Sequence, residues 1–400
     1  MMNGNVEVVV VGGGYGGVTA ANSLARRDGV SVTLVNPRPE FVSRIRLHQL
    51  VTGSDDAVEG FGEVLGGNVR LVVDTATRID SAGRRVSLAG GGLLSYDYLV
   101  YAVGSGGADP GVPGATEFAY RVSDFEGAQR LRSALDAAPT SAPVTVVGAG
   151  PTGLETAAEL AEAGRRVTLV CGDVLGPSLH ARVRRPVARR LAELGVTVLE
   201  GPRARVREVT RDAVQLDDGR ELPSAVTIWT AGFTVPDLAA RSGLRTDTDG
   251  RLLTDATLTS VDDVRIVAAG DAAVMTDQPF RMSCQAAVQL GPAAADTVLR
   301  RIAGRTPARV RMFFAGQCLS LGRNEGVTQF SYPNDKVNAL RVSGRPGAGV
   351  KEIACRFTLG KLVSGARRAG SRGSRSDSTD RPETPRPEQP TTPPDTRRAA

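Results

Sequence analysis

Twice in this chain of 400 residues an apolar run breaks into closely spaced glycines. Val8 to Val11 leads into Gly12, Gly14 and Gly17, and Val144 to Val147 leads into Gly148, Gly150 and Gly153. In such a set the first glycine permits a tight turn and the second lets the backbone approach a diphosphate. The third lets the next helix pack close to the strand, so that the diphosphate meets a helix N-terminus. Each copy continues into an alanine-rich, helix-like stretch and a second apolar strand, Val30 to Val35 and Arg166 to Val170. A single fingerprint is weak, but two in matching surroundings constrain the chain to the α/β class with two Rossmann-like dinucleotide-binding domains. A chain that holds two dinucleotides at once is built to pass electrons between them.

The duplication extends beyond the glycines. Each copy is followed by a β-rich stretch that ends in an apolar strand and a small-residue turn, Tyr98 to Gly104 and then Thr227 to Gly232, and a third such turn closes Val264 to Asp271. With 41% hydrophobic residues the chain can fill full cores. It contains no run of about 18 apolar residues, so a spanning helix is not expected. The N-terminus enters the first strand without a basic region and secretory stretch, so export is not expected either. Four cysteines with no close pair, at 171, 284, 318 and 355, suit reduced thiols in a cytoplasmic setting.

The net charge of +6 is uneven, because eleven basic and six acidic residues fall between 351 and 400, leaving the body nearly neutral. From about residue 365 the chain is rich in Ser, Arg, Thr and Pro and nearly free of large apolar groups, which predicts a disordered tail. Just before it, Cys355, Leu359, Leu362 and Ala366 follow helical spacing, with Arg356, Lys361, Arg367 and Arg368 directed elsewhere. This reads either as a basic amphipathic helix on an anionic membrane surface or as a last helix packed on the core. With no aromatic residue beyond Phe357 to stack on bases, nucleic acid is not expected as a partner.

These motifs resemble the FAD-dependent pyridine nucleotide oxidoreductases, and among them most closely the type II NADH:quinone oxidoreductases and apoptosis-inducing-factor-like flavoproteins. The resemblance spans about residues 6 to 357. It is carried by Val9 to Gly17, Val147 to Glu155 with Glu159, Trp229 to Phe233, Ala268 to Asp271, and Cys284 to Gln289. It implies a nested architecture: an FAD domain in two parts (1–112 and 253–305) around an inserted NAD(P)H domain (113–252), then a C-terminal α+β interface domain (306–364) and the tail (365–400). Val310 to Phe357 contains two β-like runs of that interface domain, a region that supports dimerisation or membrane contact in such proteins.

The resemblance also implies site residues. FAD is expected on Gly12, Gly14, Tyr15, Gly16, Gly17, Asn36, Arg44, Gly104, Gly270 and Asp271, and NAD(P)H on Gly148, Gly150, Thr152, Gly153 and Gly232. Glu155 is expected near the nicotinamide, with Cys284, Gln285 and Gln289 at the start of a helix that runs from Ser283 to Leu299 and points at the flavin. A thiol at that helix N-terminus is expected to have a lowered pKa if it is reactive, and to be plain packing if not. Arg44, Arg46 and His48 lie on a segment expected to pass the flavin, where His48 is the one candidate proton donor; His180 is expected at the surface. No metal site is expected. Asn36 and Cys171 stand where a carboxylate is expected to bind each adenosine ribose, so NADH and NADPH both remain open, with Asp173 as a displaced acid.

Hydride transfer from nicotinamide to flavin needs no catalytic base, which suits a chain with two histidines. The leading expectation is therefore an enzyme, a flavin-dependent NAD(P)H dehydrogenase serving a quinone-like acceptor, with possible homodimers and peripheral contact with the inner face of the cell membrane. The alternatives are a soluble FAD-dependent reductase of a ferredoxin or biosynthetic quinoid substrate, or a non-catalytic FAD/NADH sensor. A disulfide relay is disfavoured because no CxxC or CxxxxC adjoins the first fingerprint.

Overall fold

The computed structural model describes residues 5–373. Two five-stranded parallel sheets dominate it. In the first, the order is Ile266–Ala268, Tyr98–Tyr101, Val6–Val11, Val30–Asn36, Val69–Val73; in the second it is Ala119–Arg121, Val226–Trp229, Pro143–Val147, Arg166–Gly172, Thr197–Glu200. In each sheet the fingerprint strand is central and pairs in parallel with the strand that follows its helix. The central strands Val6–Val11 and Pro143–Val147 each end in four consecutive buried residues, as expected of sheets covered on both faces.

The first sheet closes only when Ile266–Ala268 returns to pair with Tyr98–Tyr101, after the whole second sheet has been completed. This is the nested arrangement the resemblance implied. Each half also carries a three-stranded antiparallel sheet, Ala76–Asp80 to Leu93–Ser95 in one and Val206–Val209 to Glu221–Pro223 in the other.

The helix Cys284–Ile302 begins at Ser283, whose hydroxyl accepts from the Ala286 N–H at 3.2 Å. It crosses the first fingerprint helix, Tyr15–Leu24, at unusually short range. A Cβ on Gly291 would stand 2.0 Å from Thr19 Oγ1 and 2.4 Å from Gly16 O, so only glycine permits the contact.

The C-terminal part is a sheet of three antiparallel strands, Gly316–Ser320, Gly326–Ser331 and Val337–Gly344, followed by the helix Arg345–Gly373. Two of the strands match the expected β-like runs, and the third, with no buried residue, went unrecognised. The helix also corrects the expected boundary of disorder, because it continues through 365 to Gly373; the remainder of the expected tail lies outside the described residues. Leu362 and Ala369 are completely buried in the first-domain core, and Cys355 and Ala366 are also buried. The apolar stripe therefore faces the protein, as in the core-helix reading, while Ile353 and Phe357 on another face are 68% and 62% exposed.

Candidate flavin and nicotinamide site

Both glycine sets adopt one geometry. Gly12 and Gly148 have φ of +104° and +107°, and a Cβ on Gly17 or Gly153 would stand 1.8 Å from the carbonyl oxygen of Gly12 or Gly148. Around Gly14 and Gly150 the reverse holds, since a Cβ there meets no atom of the described residues within 4 Å. Each loop thus leaves an open approach to a helix N-terminus, at Tyr15 and at Pro151, where an anion is favoured. Thr230 Oγ1 secures the second loop by donating to Val147 O and Gly148 O.

On the first site, Asp271 Oδ2 accepts from Ser105 Oγ at 2.6 Å, and Arg44 donates to the same hydroxyl at 3.0 Å while standing 3.9 Å from the carboxylate. Asp271 Oδ1 is buried with no hydrogen-bond partner among the described residues, so it is available to a ligand hydroxyl. Gly104 and Gly270 beside it take φ of +71° and +77°. Gly16 packs on Gly270, and the Tyr15 hydroxyl is paired with Ser43 Oγ at 2.9 Å, so Tyr15 supports the loop from behind. Asn36 Oδ1 accepts from Gly13 N and its Nδ2 donates to Arg38 O. Its amide therefore shapes the loop.

The helix N-terminus at Cys284 corrects one expectation. Burial pushes the Cys284 thiol up to about 11, opposite to the lowering the helix dipole suggested, although Lys351 pulls against it. The cysteine is thiol, not thiolate, near neutral pH. Gln289 donates to Phe313 O at 2.8 Å and accepts from Phe313 N at 3.2 Å. Gln285, with its amide oriented to satisfy its neighbours, bridges Ala315 N and Gly316 O. Both glutamines, expected in catalysis, engage the 313–316 backbone through their amides.

Glu155 lies in a buried cluster assembled from four segments. Its carboxylate contacts Lys351 Nζ at 2.9 Å, accepts from Ser320 N at 3.0 Å and lies 3.7 Å from His48 Nδ1. Burial alone would raise its pKa, but Lys351, His48 and the Ser320 N–H outweigh it and hold the carboxyl below the usual range. His48 is 3% exposed rather than solvated, and burial lowers it to about 4, so its ring is neutral at pH 7. Arg46 turns away to Asp55 and Glu352, at 3.2 and 3.0 Å. Lys351 and Ser320 were missed in the sequence. The one available signal was that Lys351 lies four residues before Cys355, on the buried stripe of its helix.

At the second site, Thr152 is half-buried in the first turn of the helix Pro151–Glu162, and Gly232 has a φ of +81°. Cys171, next to last in its strand, carries a thiol raised to about 12 by burial and by Glu200. Two residues on, Asp173 receives two hydrogen bonds from Arg205 Nη2, each 2.9 Å long. Arg165 is tied to Leu135, Ala138 and Pro139 carbonyls, at the end of the strand away from this site. His180 caps the helix Ala181–Glu193, its Nδ1 accepting from Arg182 N.

Comparison with known proteins agrees with this geometry. Residues 6–291 match the family described as pyridine nucleotide-disulphide oxidoreductase. An NADH dehydrogenase-like protein of Mycobacterium tuberculosis is 32% identical over 79% of this chain and 86% of its own length. The type II NADH:quinone oxidoreductase Ndh of the same organism is 30% identical, over 81% of this chain and 78% of its own. Among solved structures, NDH2 of Plasmodium falciparum in complex with NADH gives a TM-score of 0.76 at 16% identity, covering 92% and 98% of the two chains. The sulfide:quinone oxidoreductase of Aquifex aeolicus gives 0.75 at 20%, over 90% and 92%.

FAD and NAD(P)H are the cofactors of this family. The residues present fit them: two open diphosphate approaches, at Gly14 and Gly150, and the orphaned Asp271 Oδ1 on the first site alone. By its matched sequence and its duplicated nucleotide folds, the chain is an oxidoreductase and belongs to the pyridine nucleotide-disulphide oxidoreductase family.

Proposed function

We propose that this protein oxidises NADH on the second nucleotide site and passes the electrons, through FAD held on the first, to a quinone-type acceptor. The observation that carries this reading is the Glu155–Lys351 pair. It sets a buried ammonium, kept charged against burial by Glu155, near the N-terminus of the helix Cys284–Ile302, and none of the four cysteines forms a disulfide. FAD, when bound, takes up the two electrons of the nicotinamide and yields them to the acceptor. The protein's part is to hold and orient. Gly148, Gly150 and Gly153 receive the NADH diphosphate with Thr152 beside them, Gly12 to Gly17 receive that of FAD, and Asp271 with Arg44 fixes the flavin's sugar alcohol.

Glu155 and Lys351 hold a proton where the acceptor is reduced. The names of the relatives, NADH dehydrogenase-like and type II NADH:quinone oxidoreductase, support this acceptor class. For the coenzyme, NADH is favoured because Asp173 offers a carboxylate near the ribose position, whereas Arg205 is occupied with it.

The C-terminal part supports peripheral contact with an anionic lipid surface. Leu340, Ile353, Phe357 and Tyr332 are each more than half exposed, and Arg345, Arg356 and Lys361 lie exposed on the same final helix as Ile353 and Phe357. No helix among the described residues is long and apolar enough to cross a membrane. The deciding experiment is anaerobic mixing of the flavin-loaded protein with NADH or NADPH, followed by menadione, ferricyanide or a ferredoxin. Rapid flavin bleaching by NADH and rapid recovery with menadione are expected. Recovery with ferredoxin and not with menadione would assign a different acceptor.

A further inference from the structure

Beyond the Glu155–Lys351 pair, the line of buried ionisable groups continues to the protein surface. Glu155 and Glu159 stand one turn apart on the helix Pro151–Glu162, and His48, from the helix Leu47–Thr52, lies between them. Its Nδ1 is 3.7 Å from Glu155 Oε2 and its Nε2 is 3.5 Å from Glu159 Oε1, with Ser320 Oγ at 3.2 Å from the same nitrogen. Glu159 Oε1 is buried with no hydrogen-bond partner among the described residues. Glu159 Oε2 accepts from Thr52 Oγ1 at 3.0 Å, and Arg323, whose side chain is 45% exposed, approaches Oε1 at 3.7 Å. A bare buried carboxylate oxygen aimed at an imidazole is costly, and it is relieved when Glu159 carries a proton on that oxygen.

We propose that Glu159 and His48 form a proton feed that carries protons from solvent at the Thr52–Arg323 rim to the Glu155–Lys351 pair. The proposal rests on the quinone reading above. NADH gives up two electrons and one proton as hydride, whereas a quinone takes two electrons and two protons, so one proton per turnover comes from water. In the feed, the Glu159 O–H bond breaks as an N–H bond forms at His48 Nε2, and the N–H bond at Nδ1 breaks as an O–H bond forms on Glu155. Glu155 then restores the proton that Lys351 has given up. Glu159 is reprotonated from solvent, and the ring returns to its first tautomer.

Burial raises the Glu159 carboxyl and so favours a proton there at rest, while Lys351 and its other neighbours outweigh burial and hold Glu155 below the usual range. The step onto Glu155 is uphill while Lys351 is charged, and it is eased once the ammonium has given up its proton. The groups facing His48 are Glu155 and Glu159 from one helix, Lys351 from the last helix, Arg323 from the turn after Ser320, and Arg46. A neutral ring among them can accept at one nitrogen while releasing at the other. The gaps of 3.5 and 3.7 Å exceed a hydrogen bond by less than 1 Å, a looseness common in catalytic sites without substrate.

The test uses the full flavin-loaded chain with His48→Leu, His48→Ala and Glu159→Gln. In stopped-flow, reoxidation by menadione is expected to slow on the order of tenfold or more in each variant. NADH-driven bleaching, which needs no solvent proton, should slow far less. The solvent deuterium isotope effect on reoxidation should rise, and added imidazole should restore His48→Ala. Because the chain has only His48 and His180, imidazole nitrogen NMR gives a readout independent of turnover: Glu159→Gln should shift the His48 nitrogens and leave those of His180 in place. Equal slowing of bleaching and reoxidation, or unchanged reoxidation with no imidazole rescue, would overturn the feed. Wild-type protein that is bleached by NADH but not reoxidised by menadione would instead overturn the quinone reading on which the feed rests.

Discussion

Gly14→Val and Gly17→Ala lie three positions apart and are expected to fail in opposite ways. At Gly14 the backbone is extended, with φ −78° and ψ −170°, and a Cβ meets no described atom within 4 Å. Valine therefore fits the protein itself. Lower chain entropy in the unfolded state stabilises by about 0.5 to 1 kcal/mol, and the loss of a favourable N-cap residue costs a similar amount. The net change should lie within about 1 kcal/mol. The valine methyls occupy the space the FAD diphosphate needs, and two charge-assisted hydrogen bonds lost there remove about 3 to 6 kcal/mol of binding. That is a hundredfold to ten-thousandfold loss of affinity on the order-of-magnitude scale of 1.4 kcal/mol per decade.

At Gly17 the added methyl instead stands 1.8 Å from Gly12 O, a backbone atom that cannot move without breaking the turn. Overpacking of that kind costs about 3 kcal/mol or more and should lower Tm by roughly 5 to 10 °C. The assay pairs thermal melting of flavin-free protein with flavin absorbance and calorimetric titration of FAD. Gly14→Val should melt within about 3 °C of wild type and come off the column colourless. If it keeps wild-type flavin occupancy, the assignment of the first loop as the FAD cradle is wrong; if Gly17→Ala melts like wild type, the close contact between Gly17 and Gly12 O is wrong.

The second loop has the same geometry, so Gly150→Val should keep FAD and lose flavin bleaching by NADH; loss of FAD with retained nicotinamide binding would exchange the two sites. Lys351→Met removes one partner of a buried pair and should destabilise by about 3 to 5 kcal/mol at pH 7. Because Glu155 is depressed in the folded protein, its share of stability is present above its unfolded pKa and fades as pH falls, so the gap between wild type and variant should narrow toward pH 4 in melts. His48 acts in the same pH direction: its pKa falls from 6.5 unfolded to about 4 folded, so wild-type stability should drop as pH falls across that window, and His48→Leu should flatten this drop. Asp173→Ala frees Arg205 and should move the ratio of kcat/KM values toward NADPH by roughly tenfold, the scale of a single hydrogen-bonded charge contact; an unchanged ratio would place the ribose elsewhere.

The two nucleotide folds were legible in the amino-acid order because their requirements are local. A turn at φ above +100°, an open diphosphate approach and a close helix contact each demand glycine at set spacings, and Gly12, Gly14 and Gly17 repeat as Gly148, Gly150 and Gly153. The helix beginning after Ser283 was visible for the same reason, since capping and periodicity are short-range. What the tertiary structure alone decided is which polar groups meet. His48, Glu155, Glu159, Ser320 and Lys351 come from four segments, and nothing in the spacing of any one segment names its partners.

Two further outcomes depended on burial. The Cys284 thiol rises although it stands at a helix N-terminus, because desolvation exceeds the partial charge of the helix end. Leu362 and Ala369 turn the final helix toward the core, which an amphipathic pattern shared by membrane-surface and core helices leaves undecided. Local backbone demands are written in neighbouring residues, whereas charge pairing and solvent exclusion arise only when distant segments close around one another.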